Sequence, residues 1–419
     1  MDNKKILLIA FRFPPMGGVG SRRWAKFSKI LARRGYVIDV ITIKYPYIDK
    51  VNWSHDVKHP NLTVHHINAG IPSILLKESK NRAERITASL FNRLFKSIFY
   101  YLDNAQQWHR NFIPYARNMI REKDIKNVIV TGPPSSLHYF ASFLKIENPL
   151  INLIQDFRDS WNDDIDYEYR TSLKFFWQKE KSAMMEDFAF FHADKIIFVT
   201  KDIETRYSKI YPLFQDKYAV IYNGYDRDDF RENMRKVPNA NGSFSLVYTG
   251  SLGVGRERAI PLLAEAIDLQ DDDFFSDLRI NIFSNIQLKA FEDHPSYPSI
   301  ERHFSFQDPV EPQEISKIIS SHSYGLSINS EIYPYAFGTK VFDYMVAGKK
   351  ILHISNGGEL YDYLKGKGSF AAKYCVSEIA SELRTMKSDF MKSEKTVNEY
   401  SEFDLENLTN EIESSLSDR

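Results

Sequence analysis

The sequence predicts an α/β protein made of two doubly wound domains, for three reasons. Short apolar runs that read as parallel strands alternate with amphipathic helices along most of the 419 residues. The alternation starts twice, each time with a strand that runs into a glycine-rich turn. A charged stretch with Pro238, Asn239, Asn241 and Gly242 separates the two starts, as a linker would. The length suits two domains of ordinary size, and 43% hydrophobic with 26% charged residues is a globular balance.

Taken in order, residues 6–10 form a continuous apolar run, the mark of a strand buried on both faces. Residues 13–20 hold two prolines and three glycines and predict a loop. Ser21 is the expected cap of a helix through Trp24, Phe27, Ile30 and Leu31, and Gly35 ends that helix in the C′ role. Residues 36–43 read as the second strand. Residues 127–131, 150–154, 195–199 and 219–221 read as further strands, the third of these six ending at Thr131 before a helix opened by Gly132-Pro133-Pro134-Ser135-Ser136. The pattern restarts with a strand over 244–248, the turn Thr249-Gly250-Ser251-Leu252-Gly253-Val254-Gly255 and a helix through Ile260, Leu263, Ala264 and Ile267. Strands over 278–283, 324–328 and 350–354 follow. The domains expected are 1–225 and 244–399, with a linker over 226–243 and a C-terminal helix over 400–419 that has the option of returning to the N-terminal domain. In such sheets ligands sit at the carboxyl ends of the strands, so a cleft between the domains is the expected active site.

Lys and Arg number 55, Asp and Glu also 55, so the net charge is zero. That excludes a surface built wholly for nucleic acid. The total conceals a split: residues 1–120 carry 20 basic and 7 acidic side chains, and residues 121–419 carry 35 and 48. A basic N-terminal part points to an anionic partner, whether phosphate, membrane surface or nucleic acid. The single cysteine, Cys375, excludes an intrachain disulfide and a cysteine-based metal cluster. It fits a reducing cytoplasm and reads as a small buried residue. The apolar run near the N-terminus is a strand rather than a signal peptide, and no run approaches the roughly 18 residues of a membrane span.

The first glycine-rich turn, Gly18-Val19-Gly20-Ser21-Arg22-Arg23, begins like a dinucleotide fingerprint. Arg23 stands at the third glycine position, however, and Asp39 falls inside the second strand, so that signal is weak. A general anion site fits better, with Gly17 and Gly18 ahead of a helix N-terminus and Arg22 and Arg23 alongside; a purely structural turn is the alternative. In the second turn Gly250 and Gly253 let a ligand approach the backbone, and Arg256 or Arg258 reaches a diphosphate or stays a solvated helix charge. In the stretch 338–348, Thr339 is the expected cap of a helix and Asp343 sits one turn inside. Asp343 either accepts two ribose hydroxyls or is an acid favoured by the helix dipole.

In the N-terminal half, Asp156, Arg158 and Asp159 end a strand in Gln155-Asp156-Phe157-Arg158-Asp159-Ser160-Trp161. They either position an acceptor hydroxyl and tune its proton transfer or form a structural Arg–Asp lattice. His138 either faces the cleft or is structural. Ile86, Leu90, Phe91, Leu94, Phe95, Ile98 and Phe99 follow helical spacing, with Arg82, Arg85, Arg93 and Lys96 on the other side. Such a helix lies in a membrane interface or packs on its own domain, and the basic balance of residues 1–120 favours the membrane.

Five segments in order resemble glycosyltransferase family 4, whose members are retaining enzymes of GT-B fold. Phe13-Pro14-Pro15 with Gly17-Gly18 resembles the family's first loop. Val220-Ile221-Tyr222-Asn223-Gly224-Tyr225-Asp226 resembles its segment before the linker. Tyr248-Thr249-Gly250-Ser251-Leu252 resembles the YTGSL turn of one branch. Lys340-Val341-Phe342-Asp343-Tyr344-Met345-Val346-Ala347-Gly348-Lys349 resembles its donor helix, and Asn356-Gly357-Gly358-Glu359 the turn beyond. The segment from Asp156 to Trp161 is similar to the DFRDPW of that branch, on a strand end where other members carry an active-site His.

The resemblance implies an enzyme without a catalytic metal, and no cofactor is expected; the single cysteine, the charge split and the 86–99 stripe add the expectation of a cytoplasmic, membrane-associated protein. It would move a sugar from a nucleotide-sugar to a glycan acceptor, the lipid-linked kind being favoured. By position it implies that Gly250, Ser251 and Arg256 hold the donor diphosphate, that Lys340 joins them, and that Asp343 replaces the family's ribose-binding Glu. A second Glu of the family pattern is Tyr335 here, so the sugar-contacting acid is missing or supplied elsewhere. The other readings are a non-catalytic nucleotide-sugar-binding partner and, lower, a nucleotide-sugar 2-epimerase of the same fold.

Overall fold

The continuous apolar runs pair side by side as parallel strands, because each is covered on both faces and only a parallel sheet flanked by helices does that. The computed structural model describes residues 4–49, 52–71, 76, 86–87, 89–90, 103–162, 173–230, 243–310, 312–392 and 400–416. The chain divides into two compact units, Met1–Tyr222 with Leu408–Arg419, and Asn223–Asn407.

The first unit is built from β1 (Lys5–Ala10), α1 (Val19–Arg33), β2 (Val37–Ile43), β3 (Leu62–Ile67), α2 (Ala105–Lys123), β4 (Asn127–Gly132), α3 (Ser136–Glu147), β5 (Asn152–Phe157), α4 (Leu173–His192), β6 (Lys195–Phe198), α5 (Lys201–Ile210) and β7 (Tyr218–Val220). The sheet order is β3-β2-β1-β4-β5-β6-β7, parallel throughout. The order reverses between β1 and β4, so the loops after these two strands flank the crevice of a doubly wound sheet. Right-handed crossovers put α1 on one face and α3 and α4 on the other, where α3 packs between α2 and α4.

The second unit contains β8 (Ser245–Thr249), α6 (Ala259–Asp268), β9 (Arg279–Phe283), α7 (Tyr297–His303), β10 (Phe304–Gln307), α8 (Pro312–Ser320), β11 (Tyr324–Ile328), α9 (Thr339–Val346), β12 (Ile351–Ile354), α10 (Glu359–Gly366), β13 (Phe370–Ala372) and α11 (Val376–Phe390). Its order, β10-β9-β8-β11-β12-β13, reverses between β8 and β11. The last helix, α12 (Leu405–Ser415), reaches the first unit with its second half. There Arg34 pairs with Glu413 at 2.5 Å, and the Asn152 amide donates to the Ser415 carbonyl at 2.9 Å.

Several local expectations are corrected. Gly18, with φ +81, is the N-cap of α1, and Ser21 lies inside the helix with its hydroxyl on the Gly17 carbonyl. Gly338 rather than Thr339 caps α9. The strand expected over 150–154 is displaced to Asn152–Phe157, so Asp156 belongs to β5 itself. Cys375 is exposed, at the N-cap of α11. Strand β3 escaped detection because it is an edge strand whose polar residues alternate, with only Leu62 buried. Strands β10 and β13 are edges too, of four and three residues. Residues 231–242 of the expected linker lie outside the described residues. Among the described residues no helix is long and apolar enough to cross a membrane.

Candidate active site

Strand β8 carries Thr249 to the carboxyl edge of the second sheet, where Gly250 turns with φ +119 and donates its N–H to the Phe283 carbonyl at 2.9 Å. That φ is open to glycine and strained for other residues. The turn is held from several sides. Ser251 Oγ and the Leu252 N–H donate to Asn285 Oδ1 at 3.1 and 3.0 Å, and the Tyr248 hydroxyl donates to the Ser251 carbonyl at 2.8 Å. Helix α9 faces this turn, and no side chain caps its N-terminus. Tyr344 locks it in place, its hydroxyl accepting the Thr249 N–H at 3.1 Å.

Lys340, in the first turn of α9, places its ammonium 3.6 Å above the centre of the Tyr248 ring, and a Cβ added to Gly250 would lie 3.8 Å from that nitrogen. Burial, then the nearby Arg256 charge, pushes Lys340 well below its ordinary pKa. His353 lies close by: burial and the Lys340 charge push it down to about 3, so the ring is neutral, with Nδ1 on Ser327 Oγ at 3.1 Å and Nε2 unpartnered. Arg256 donates to the Gly253 carbonyl at 3.3 Å. Arg258 is engaged with Glu331 at 2.5 Å, which distinguishes the two arginines that the sequence left equivalent. Among the described residues neither Lys340 nor Arg256 pairs with a carboxylate. Two basic side chains without a carboxylate partner among the described residues, a glycine turn and a helix N-terminus without a side-chain cap therefore converge, the composition of a phosphate site. Thr339 and Asp343 are half-buried on α9, and Tyr335 is half-buried with its ring against Tyr333 at 5.9 Å. Tyr248, Tyr344, Ser327 and His353 were not identified from sequence, where only the YTGSL-like turn gave a signal.

In the first unit Asp156 pairs with Arg23 rather than with the neighbouring Arg158. Asp156 is fully buried and accepts from Arg23 (2.9 Å), Trp24 Nε1 (2.7 Å) and Thr131 Oγ1 (2.8 Å). Burial raises its pKa, but the Arg23 charge and these hydrogen bonds outweigh that and hold the carboxyl below its usual range. Arg23 also donates to the Tyr222 carbonyl at 2.9 Å. This corrects the placing of Arg23 beside an anion site at the first glycine-rich turn: its charge is consumed in the interior. Arg22 is likewise buried, stacked over Trp53 at 5.6 Å. The Gly17 N–H already binds the Asp49 carboxylate at 2.7 Å, whereas a Cβ on Gly18 would meet open space.

Arg158 bends back to the Gly20 carbonyl at 2.8 Å, and Asp159 is exposed beside it. His138 is buried, stacked on Phe157 at 4.0 Å with an 11° tilt, and burial pushes it to about 3. A neutral, enclosed imidazole is a packing element, and Gly132 makes room for it, since a Cβ there would lie 2.6 Å from Nε2. Beneath the Arg158 loop is a network absent from the sequence reading. The Trp161 N–H donates to Tyr207 Oη (2.8 Å), and Tyr207 donates to Glu186 Oε1 (2.6 Å). The Asn162 amide donates to Glu186 Oε2 (2.9 Å). Glu186 comes from α4 and Tyr207 from α5, with no shared motif to reveal them. Phe91, Arg93, Phe95 and Lys96 lie outside the described residues; Ile86 and Leu90, from the same stripe, are exposed.

No family profile and no curated protein matches the sequence. Solved structures do. The Anabaena protein HepE, determined in complex with UDP, is 12% identical and superposes with a TM-score of 0.61 over 99% of this chain and 100% of its own. WaaG, a glycosyltransferase involved in lipopolysaccharide biosynthesis, is 12% identical with a TM-score of 0.57 over 99% and 100%. The UDP-GlcNAc 2-epimerase from Methanocaldococcus jannaschii is 10% identical with a TM-score of 0.53 over 98% of each chain. At such identities the likeness speaks for architecture: two parallel-sheet, Rossmann-like α/β domains matching the glycosyltransferase structures, so the chain has the GT-B fold.

Proposed function

We propose that the chain is a retaining glycosyltransferase that moves a sugar from a nucleotide-diphosphate sugar to a hydroxyl of a glycan acceptor, with a lipid-linked surface polysaccharide favoured. The observation that carries this is the meeting of Lys340 and Arg256, both without a carboxylate partner among the described residues, at the Gly250 turn and the N-terminus of α9. A leaving nucleoside diphosphate gains negative charge as the glycosidic bond breaks. Fixed cations and oriented amides stabilise that charge at no cost of reorganisation during the reaction. In this reading they take the part a divalent ion plays elsewhere. Asp343, one turn further along α9, accepts the ribose hydroxyls. HepE, a protein of the same fold, was determined in complex with UDP, which supports a nucleotide as ligand.

On the acceptor side, Arg158 and Asp159 orient the incoming hydroxyl, while Asp156 and His138 position the elements around them without touching substrate. No nucleophile is assigned: the family reading is a front-face attack assisted by the leaving phosphate. The basic balance of residues 1–120 supports a cytoplasmic protein held at the membrane surface.

A thermal-shift panel of UDP, GDP, ADP and TDP sugars tests the donor assignment, followed by transfer assays on Arg256→Ala and Lys340→Ala. Each substitution is expected to lower kcat about 10²–10³-fold, the usual effect of removing one donor to a developing anion. Unchanged affinity and rate in both variants would make the assignment wrong. The epimerase of this fold motivates a second reading. Incubation with donor alone separates them, since an epimerase inverts C2 of the sugar without an acceptor. Nucleotide-sugar binding with neither product would identify a non-catalytic binding partner, the reading that Tyr335 suggests.

A further inference from the structure

A groove of about 510 Å³ opens on the helical face of the first unit, where α2, α3 and α4 lie side by side. Phe140, Met184, Met185 and Phe188 form its walls, and Arg110 and Lys181 stand among them. The volume falls within the roughly 300–1,000 Å³ of small-molecule sites. No acidic side chain lines the groove, and neither cation pairs with a carboxylate among the described residues. The nearby His109 stacks flat on Phe140, at 4.0 Å and 2°, and burial lowers its pKa, so it extends the aromatic wall as a neutral ring.

The apolar surface continues along α4. Met184 and Phe191, seven residues or two helical turns apart, are 74% and 65% exposed. Phe188, on the same helix, packs on Tyr139 and Phe143 of α3. Met184 thus joins the groove wall to exposed apolar side chains of α4. Flexible methionine walls suit a chain-like ligand. Arg110 and Lys181, the two charged residues of a lining that holds no acid, suit an anionic head.

The location links the groove to the candidate acceptor loops. Asp103 accepts the Ser136 N–H at 2.8 Å and also the Ser136 hydroxyl, tying the start of α2 to the start of α3. Both helix starts lie at the carboxyl end of the sheet, because α2 leads into the amino end of β4 and α3 leaves its carboxyl end. The Arg110 end of the groove is thus on the edge from which Arg158 and Asp159 emerge.

We propose that this groove seats the hydrocarbon chain of a phosphate-bearing amphiphile, with Arg110 and Lys181 meeting its head, and that this chain is the lipid part of the acceptor. The second half of that statement rests on the transferase reading. The test is calorimetric titration of the full chain at low salt with dodecyl phosphate and farnesyl phosphate, both below their micellar concentrations, and with inorganic phosphate. Saturable one-to-one binding of at least one amphiphile is expected, straight-chain or isoprenoid preference identifying the chain type, with no binding of inorganic phosphate. Lys181→Glu and Met184→Glu change exposed residues and are expected to weaken binding at least tenfold without altering the thermal midpoint.

Failure of both amphiphiles to saturate, undiminished binding in both variants, or binding only to anionic vesicles would overturn the proposal. Nucleotide binding is titrated on the same preparations. Its loss in the wild type counts against the transferase reading alone, whereas loss of amphiphile binding with nucleotide binding intact counts against the groove alone.

Discussion

Asp156 has no exposed surface, and its oxygens receive hydrogen bonds from Arg23, Trp24 and Thr131, so its charge serves architecture. Its folded pKa is depressed, and a depressed carboxylate contributes stability that is present above its unfolded pKa, about 3.9, and is lost as pH falls through the folded value. Asp156→Asn leaves Arg23 buried without a counter-charge. It is expected to cost about 3–5 kcal/mol in urea unfolding at neutral pH, and less in strong acid where the wild-type carboxyl protonates too. A loss under about 1 kcal/mol at neutral pH would refute the lattice as a stability element. Lys340 behaves in the opposite sense. Its pKa is lowered by burial and by Arg256, and the negative charge of a bound diphosphate would raise it again. Nucleotide binding is therefore expected to take up protons and to weaken as pH rises through the lowered Lys340 value. Titrations in buffers of different ionisation enthalpy check this, and Lys340→Ala should abolish the uptake. Lys340 was singled out from the sequence; the aromatic ring beneath it was not, because Tyr248 lies on another element 92 residues earlier.

At the scale of elements, glycines mark where backbone and side chain approach closely. Gly325 sits inside β11, where a Cβ would come within 2.6 Å of the Tyr344 ring of α9. That contact lets α9 lie against the sheet and brings the Tyr344 hydroxyl to Thr249. Gly325→Ala is expected to cost about 1–3 kcal/mol by overpacking and to weaken nucleotide binding through displacement of α9. Gly366→Ala, whose Cβ meets open space at the end of α10, should change neither. Equal effects from the two substitutions would refute the seating of α9 on Gly325. The glycine-rich turns after β1 and β8 were readable from composition, as was the Gly35 stop with φ +87. The caps were not: Ser21 and Thr339 have suitable chemistry, yet Gly18 and Gly338 occupy those positions, because the chain enters each helix one or more residues earlier. Edge strands such as β3 were missed for a related reason. With one neighbour and partial burial, β3 lacks the apolar run that reveals central strands.

For the molecule as a whole, the net charge of zero conceals 20 basic against 7 acidic residues over 1–120 and 35 against 48 over 121–419. If the basic part faces anionic lipid, the protein should float with phosphatidylserine-containing liposomes at low salt. It should detach as ionic strength shortens the screening length to a few ångströms. Absence of flotation at low salt would end the membrane assignment. Part of that basic charge is already spent, since Arg23 is buried on Asp156 and Lys26 on Asp56, so the surface field is smaller than the count suggests.

The sequence by itself determined the α/β class, the two starts of the alternation, the glycine-rich turns and the Lys340 segment. Strand burial and backbone freedom leave a local trace in periodicity and composition. Only the tertiary structure decided which polar groups satisfy one another. Arg23 with Asp156 across 133 residues, Arg258 with Glu331 in preference to Arg256, Glu186 under the Arg158 loop, and the groove between α2, α3 and α4 are all products of sheet order and helix packing. A buried charge must find its partner in three dimensions, and no spacing along the chain records where that partner is.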